Sequence, residues 1–294
     1  MAARNDSVSS QTAAPSDSGV RRRAIAAHVA PYLLWLLPMV AFQAAGGLGV
    51  SVPRDWFAPT YAAKSLLCAA LLLWLKPWRY YALGGGTGNG ERGTDVNGQT
   101  VKPSNRQTEA CGLAIGVSAG LAVAVLWVFP ETPWLFSRAP GVVSFYNRWL
   151  IMPPGDFPGY FNPDLFPLLP ERHASLSYAP EVCGWALTIA KLLGSAFVIS
   201  AAEEWFFRGF LYRWLRKGDF LTVDPARYDA QAFWTVVVLF GLEHDRWLAG
   251  MAAGAVYGWL VLKTGRIDPA IVAHATTNLA LGLYVVLSRQ YGFW

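Results

Sequence analysis

The sequence has few charged residues. Asp, Glu, Lys and Arg make up 15% of its 294 residues, and 54% are hydrophobic; a typical soluble domain has about 25% charged residues. Because a soluble chain of this size needs charged surface to stay in solution, the composition excludes an ordinary cytosolic enzyme and predicts an integral membrane protein. The 24 Lys and Arg residues exceed the 19 Asp and Glu residues, and we interpret this excess as a topology signal rather than as nucleic-acid binding.

Cysteine is also scarce, and common metal-site patterns are missing. The three cysteines, Cys68, Cys111 and Cys183, lie in or beside apolar segments without metal-ligand spacing, so we interpret them as buried small hydrophobic residues. The zinc-protease motifs HExxH and HxxEH do not occur. The glycine-rich stretch GGGTGNG is not followed by GK[ST], so no phosphate-binding loop is predicted.

Seven apolar segments predict an all-α fold, a polytopic bundle of about seven transmembrane helices. Polar or Pro-rich stretches divide them. The chain is predicted to have a disordered cytoplasmic N-terminus over 1–23, two transmembrane helices over 24–83, a flexible polar linker over 84–108, a third helix and a Pro- and aromatic-rich interfacial loop over 109–180, with an amphipathic helix near 142–151, and a last membrane domain over 181–290.

The distribution of basic residues predicts the orientation. With a cytoplasmic N-terminus, sixteen Lys and Arg fall in segments on the cytoplasmic side and six on the other side. This bias follows the positive-inside rule. We therefore expect a cytoplasmic N-terminus and a C-terminus on the opposite face.

Two carboxylates and an arginine interrupt an apolar helix. Glu204 and Arg208 are four residues apart, so they share a helix face and can form an ion pair. Glu203 points about 100° away and has no partner on its own helix. Ordinary surface charge at a helix end is the alternative, which the apolar neighbours on both sides weaken. An ionisable residue at membrane depth is a functional hypothesis by default.

Two further helices carry polar pairs at the same spacing. Phe240 and His244 lie four residues apart at the end of one apolar run, and His274 and Asn278 lie four apart in the last. His274 and Asn278 could donate hydrogen bonds to the same oxygen. Each pair alone is a weak signal, and a structural role is the alternative for each.

The turn lengths give a rough estimate of depth in the membrane. Glu203 and His244 lie almost symmetrically about the polar stretch 218–227, so an antiparallel hairpin would bring them to similar depth. Straight, full crossings would separate His274 from His244 across the bilayer. We therefore expect at least one short, tilted or broken helix in this half.

Two apolar segments contain glycine at every fourth position. Such ladders let helix backbones approach closely in lipid, although glycine is also common in membrane helices generally. The ladders consist of Gly112, Gly116 and Gly120, and of Gly250, Gly254 and Gly258.

The order EExxxR, FxxxH and HxxxN, each on an apolar helix, resembles the CAAX prenyl protease and bacteriocin-processing (CPBP, or Abi) family of intramembrane glutamic endopeptidases. The similarity covers about residues 181–290. The stretch FGLEHDRWLAG resembles a bacterial branch of CAAX-protease-related proteins associated with exosortase systems. The resemblance implies a multi-pass protein of the bacterial inner membrane.

The resemblance also implies a reaction. Glu203 would be the base that activates a water molecule, His244 would help hold that water, and His274 and Asn278 would stabilise the tetrahedral oxyanion. Neither metal nor cofactor is implied. The substrate would be a membrane-associated protein or peptide.

Three residues would support this machinery. Glu204 with Arg208 would fix the position of Glu203, and Phe240 completes the second motif. The resemblance implies that the protein lies in the lipid bilayer and that exosortase-system proteins are candidate partners. It implies no nucleic-acid partner. The role of Glu243, beside His244, is unassigned.

Three other functions stay open. A metal-dependent membrane protease could use Glu203, Glu204, His244 and His274 as ligands. A non-catalytic immunity or partner protein could retain the motifs. Intramembrane charges also suit a transporter, although no internal repeat is visible.

Overall fold

The computed structural model describes residues 18–50, 53–80, 106–151, 155–156, 160–161 and 176–294. Nearly all of these residues are helical. The helices are α1 (Ser18–Gly47), α2 (Phe57–Leu75), α3 (Arg106–Val128), α4 (Pro133–Arg138), α5 (Pro140–Trp149), α6 (Trp185–Arg216), α7 (Ala230–Leu242), α8 (Trp247–Thr264) and α9 (Asp268–Ser288). A minimal antiparallel pair, β1 (Gly155–Asp156) and β2 (Tyr160–Phe161), follows α5.

The predicted helical bundle is confirmed, since all seven apolar segments form helices. Five of them, α1, α2, α3, α6 and α9, are long and apolar enough to cross a membrane, and the chain is a multi-pass integral membrane protein. α7 has 13 residues, which at 1.5 Å per residue span about 20 Å of a hydrocarbon core about 30 Å thick. α7 is thus the short helix expected in this half of the chain.

Some predicted boundaries differ from the observed ones. α1 begins at Ser18, so the last six residues assigned to the N-terminal segment 1–23 belong to a helix. Arginine is a good helix former, so the Arg21–Arg23 run continues the helix. Of the predicted linker, residues 84–105 lie outside the described residues, and α3 begins at Arg106. The predicted amphipathic helix corresponds to α5.

The cysteine prediction holds only in part. Cys68 is fully buried, Cys183 is half-buried, and Cys111 is exposed on α3. The expectation of burial is wrong for Cys111, because a lipid-facing helix surface accepts a small hydrophobic residue as readily as the interior does.

The first glycine ladder holds α3 against α9. A Cβ atom on Gly116 would lie 2.8 Å from the carbonyl oxygen of Pro269, and one on Gly120 would overlap the carbonyl oxygen of Ala273. The second ladder packs against α7, where a Cβ on Gly258 would lie 2.8 Å from the Phe233 ring. Both ladders therefore act as close helix contacts.

Candidate active site

α6 presents the two carboxylates between two irregular turns. π-helical turns cover Gly194–Ile199 and Trp205–Leu211, and the regular turn between them, Ser200–Glu204, ends on both glutamates. A π-turn changes the face on which later side chains project, and such turns are frequent at functional sites. Glu203 and Glu204 are both buried.

The predicted ion pair is present and fully buried. Arg208 Nη1 donates to Glu204 Oε1 at 2.8 Å, and Arg208 Nη2 donates to the carbonyl oxygen of Gly254 on α8 at 2.9 Å. The Phe240 ring lies 4.4 Å from the guanidinium carbon. Phe240 therefore supports the pair from α7 through a cation–π contact.

His274 joins α9 to this pair. Its Nδ1 lies 3.0 Å from Glu204 Oε1, and its Nε2 lies 3.8 Å from Glu203 Oε2. A carboxylate only accepts hydrogen bonds, so Nδ1 carries the hydrogen when Glu204 is ionised. Within the described residues, Glu203 Oε2 has no hydrogen-bond partner. The structure thus brings Glu203, Glu204, Arg208 and His274 together.

His244 lies beside this group, two residues after α7 ends at Leu242. Its Nδ1 lies 2.8 Å from the carbonyl oxygen of Phe240, which can only accept, so Nδ1 is the donor and Nε2 is left for other contacts. The Phe240 ring is 5.0 Å from the His244 ring and 5.5 Å from the His274 ring. Trp127 of α3 contacts His244 edge-on at 5.3 Å. Glu243 is exposed.

Asn278 uses its amide hydrogens within the protein. Nδ2 donates to the carbonyl oxygen of Ser195 at 2.9 Å and to Ser200 Oγ at 3.1 Å. Both acceptors belong to α6, at the first π-turn and just after it. His274 and Asn278 therefore direct their hydrogen bonds to different acceptors in this structure, rather than to one shared position.

Tyr257 of α8 also lies at the site, although no motif marked it. Its ring stacks on the His274 imidazole with centroids 4.9 Å apart. In the sequence, Tyr257 precedes Gly258 of the second glycine ladder and lies in the stretch GAVYGWLVLKTG, and a hydroxyl within an otherwise apolar ladder is a signal that could have singled it out.

Glu203, Glu204, His244 and His274 are the residues that could serve as metal ligands. Across the described parts of the chain, no group of three or more His, Cys, Asp or Glu side chains is arranged to hold a metal ion. Glu203, Glu204 and His274 share the site, but their contacts are those of an ion-pair network with Arg208.

Five helices long and apolar enough to cross a membrane surround this buried polar site, and one comparison with known families bears on it. Residues 185–280 match the family model described as type II CAAX prenyl endopeptidase Rce1-like. The resemblance predicted from the three motifs is confirmed over this segment, which supports a CAAX-type intramembrane protease, a peptide hydrolase, as the general class. No curated protein and no solved structure matches the chain.

Proposed function

We propose that this protein is an endopeptidase that hydrolyses a peptide bond of a membrane-associated protein or peptide, with Glu203 as the general base. The contrast between two adjacent carboxylates carries the proposal. Glu204 is neutralised by Arg208 and contacts His274, whereas Glu203 Oε2 accepts no hydrogen bond from the described residues. A carboxylate oxygen with free lone pairs can take a proton from water.

Water, the substrate and Glu203 account for every proton that moves in the proposed reaction. Glu203 removes a proton from water, and the hydroxide attacks the carbonyl carbon of the substrate. The C–N bond of the tetrahedral intermediate then breaks, and Glu203 returns the proton to the leaving amine. His244, whose Nε2 is free of its own backbone contact, helps to hold the water.

His274 stabilises the oxyanion in this proposal. Because its Nδ1 hydrogen faces Glu204, Nε2 donates to the oxyanion in the imidazolium form. Asn278 can donate to the same oxygen only by turning its amide away from Ser195 and Ser200. We therefore expect His274→Ala to slow turnover more than Asn278→Ala does.

We further propose that the protein lies in a bacterial inner membrane with its N-terminus in the cytoplasm. The sixteen-to-six distribution of basic residues supports this orientation. Reporter fusions at residue 95 and after Trp294 should give opposite answers, and the same answer from both would refute it. The FGLEHDRWLAG stretch supports exosortase-system proteins as partners, which co-purification with an exosortase would test.

Terminal proteomics tests the proposed activity even while the substrate is unidentified. A deletion strain should lose a set of new protein N-termini that the wild-type gene restores. Glu203→Gln should fail to restore them. The matched control is Glu181→Gln, which changes an exposed glutamate and should restore them fully. Restoration by Glu203→Gln would sink the proposal and favour a non-catalytic partner protein.

A metal-dependent protease is the second candidate, because a carboxylate on Nδ1 is the arrangement that orients metal-binding histidines. In His274 that carboxylate is Glu204. Chelators should leave the activity of the purified protein unchanged if Glu203 acts alone on water. Activity lost on chelation and restored by Zn²⁺ would replace the glutamate mechanism with the metal one.

A further inference from the structure

The Tyr257 ring covers part of the His274 imidazole. The two ring planes are inclined by 22° with centroids 4.9 Å apart, and Phe240 contacts the same imidazole edge-on at 5.5 Å. Tyr257 is 1% exposed and His274 is 3% exposed. Glu204 holds the His274 ring by a single hydrogen bond at Nδ1, and one hydrogen bond still allows the ring to tilt. The stacked Tyr257 ring restricts that tilt.

The Tyr257 hydroxyl is fixed in turn by Thr277 of α9. Tyr257 Oη lies 2.7 Å from Thr277 Oγ1, which lies 2.9 Å from the carbonyl oxygen of Gly120 and 3.0 Å from that of Ala273. Carbonyl oxygens only accept, so Thr277 donates its single hydrogen to this pair and Tyr257 must donate to Thr277. The direction of both hydrogen bonds follows from chemistry alone.

The hydrogen bonds from Tyr257 to Thr277 and from Thr277 to Gly120, which we call the relay, end on α3. The family match covers residues 185–280 and does not include α3. Gly120 brings the α3 backbone so close to α9 that a Cβ atom there would overlap the Ala273 carbonyl oxygen. In this close approach the Gly120 carbonyl oxygen lies 2.9 Å from Thr277 Oγ1. The first glycine ladder therefore supplies an acceptor as well as a packing surface.

One face of α8 contacts both Arg208 and His274. The carbonyl oxygen of Gly254 accepts from Arg208, and Tyr257, three residues later, stacks on His274. Residues three apart share a helix face. A shift of α8 would therefore move the supports of Arg208 and His274 together.

We propose that Tyr257 and Thr277 are positioning residues for His274, anchored to the Gly120 carbonyl of α3. This inference rests on the proposed role of His274. Neither residue contacts the carboxylate of Glu203 through a hydrogen bond, so they act through the orientation of the imidazole. Small misplacements of catalytic groups can cost up to about 10²-fold in rate. Residues that pack against a catalytic side chain or hydrogen-bond behind it, as Tyr257 and Thr277 do here, hold that side chain in place.

Single substitutions separate the ring from the hydroxyl. Tyr257→Phe keeps the stacked ring but removes the hydrogen bond to Thr277, and Thr277→Val removes the acceptor while keeping the shape. We expect each to lower kcat by about tenfold while KM stays within about twofold of wild type. Thr277→Ser restores the hydroxyl and should restore kcat. The substrate is a synthetic peptide that spans a cleavage site identified by the proteomics.

Tyr212→Phe is the matched control. The Tyr212 hydroxyl donates to the carbonyl oxygen of Arg227 at 2.7 Å and accepts from the Asp229 N–H at 3.1 Å, so its loss removes an equally short, partly buried hydrogen bond away from His274. This variant should lower the unfolding temperature without changing kcat. If Tyr257→Phe behaves like Tyr212→Phe, or if Thr277→Ser fails to recover kcat, the positioning role is wrong.

His274→Ala shows which proposal has failed. Loss of turnover in His274→Ala with wild-type kcat in Tyr257→Phe and Thr277→Val overturns the relay alone. Wild-type turnover in His274→Ala overturns the oxyanion role of His274 on which this inference rests, while the proposed role of Glu203 is tested separately by Glu203→Gln.

Discussion

Arg246 and Arg208 are both buried arginines, yet their surroundings differ in how completely the polar atoms are paired. Arg246 precedes α8, and its Nε and Nη2 donate to the two carboxylate oxygens of Glu131, at 2.5 and 3.0 Å. Its Nη1 donates to Asp245 at 2.7 Å and to the carbonyl oxygen of Gly292 at 2.9 Å. We call these four residues the Arg246 clamp. The clamp joins the end of α3 to the chain terminus.

The polar atoms of Arg208, Glu204 and Glu203, which we call the Arg208 group, are less completely paired. Among the described residues, Arg208 Nε, Glu204 Oε2 and Glu203 Oε2 have no hydrogen-bond partner. A buried polar atom without a partner costs about 1–3 kcal/mol. The clamp has no such atom on the side chains of Arg246 and Glu131.

We propose that this difference separates a structural network from a functional one. A fully paired network holds helices together, whereas unpaired groups retained in a buried site keep the capacity to bind water or substrate. On this proposal, two arginines with similar burial, at 1% and 2% exposure, have different roles because their partners differ.

Arg246→Met should have the largest effect on stability. It leaves Glu131 buried without its partner, so the free energy of unfolding in detergent should fall by about 3–5 kcal/mol. The kcat of the folded fraction should not change. Arg148→Met, at an exposed position on α5, is the control and should leave both quantities alone. A variant of Arg246 that folds stably but turns over slowly would contradict the structural assignment.

Glu204→Gln should affect stability and activity together. The amide keeps one acceptor oxygen but loses the charge that compensates Arg208, so we expect a loss of about 1–3 kcal/mol in the free energy of unfolding. We expect kcat to fall by about tenfold or more, because His274 loses its carboxylate partner. Unfolding titrations and kinetics on the same preparation measure both. Unchanged kcat would show that Glu204 has a purely structural role, like the residues of the Arg246 clamp.

Removing both charges of a pair should separate the two networks most clearly. Replacing both partners by apolar residues is often close to neutral for stability. Glu131→Leu with Arg246→Met should therefore bring the free energy of unfolding back to within about 1 kcal/mol of wild type, while kcat stays within about twofold of wild type. Glu204→Leu with Arg208→Met should recover stability but not activity. Recovery of activity in the second pair would remove the distinction.

Shortening the linker should have the smallest effect. Deletion of about ten residues within 84–105 changes loop-closure free energy by a few tenths of a kcal/mol, so activity and stability should both persist. Loss of activity in the deletion would mean that this segment contributes to the site or binds a partner.

Local contacts could be predicted from the sequence, and long-range contacts could not. The Glu204–Arg208 pair follows from four-residue spacing on one helix. The expectation of at least one short, tilted or broken helix follows from the sequence positions of Glu203, His244 and His274, and α7 is such a short helix. The Glu131–Arg246 contact joins residues 115 positions apart, and no periodicity relates them. The hydrogen-bond acceptors of Asn278 were missed for the same reason, since Ser195 lies 83 residues away.

Turnover by Glu203→Gln decides whether Glu203 is the general base. The substitution keeps the shape of the side chain but removes the basic carboxylate, so hydrolysis of the cleavage-site peptide in proteoliposomes should fall by about 10²-fold or more. The unfolding temperature should stay within the range of Glu181→Gln, because Glu203 Oε2 accepts no hydrogen bond from the described residues that the change would break. A stable Glu203→Gln protein with wild-type turnover would contradict the glutamate mechanism, since the reaction would then need another base.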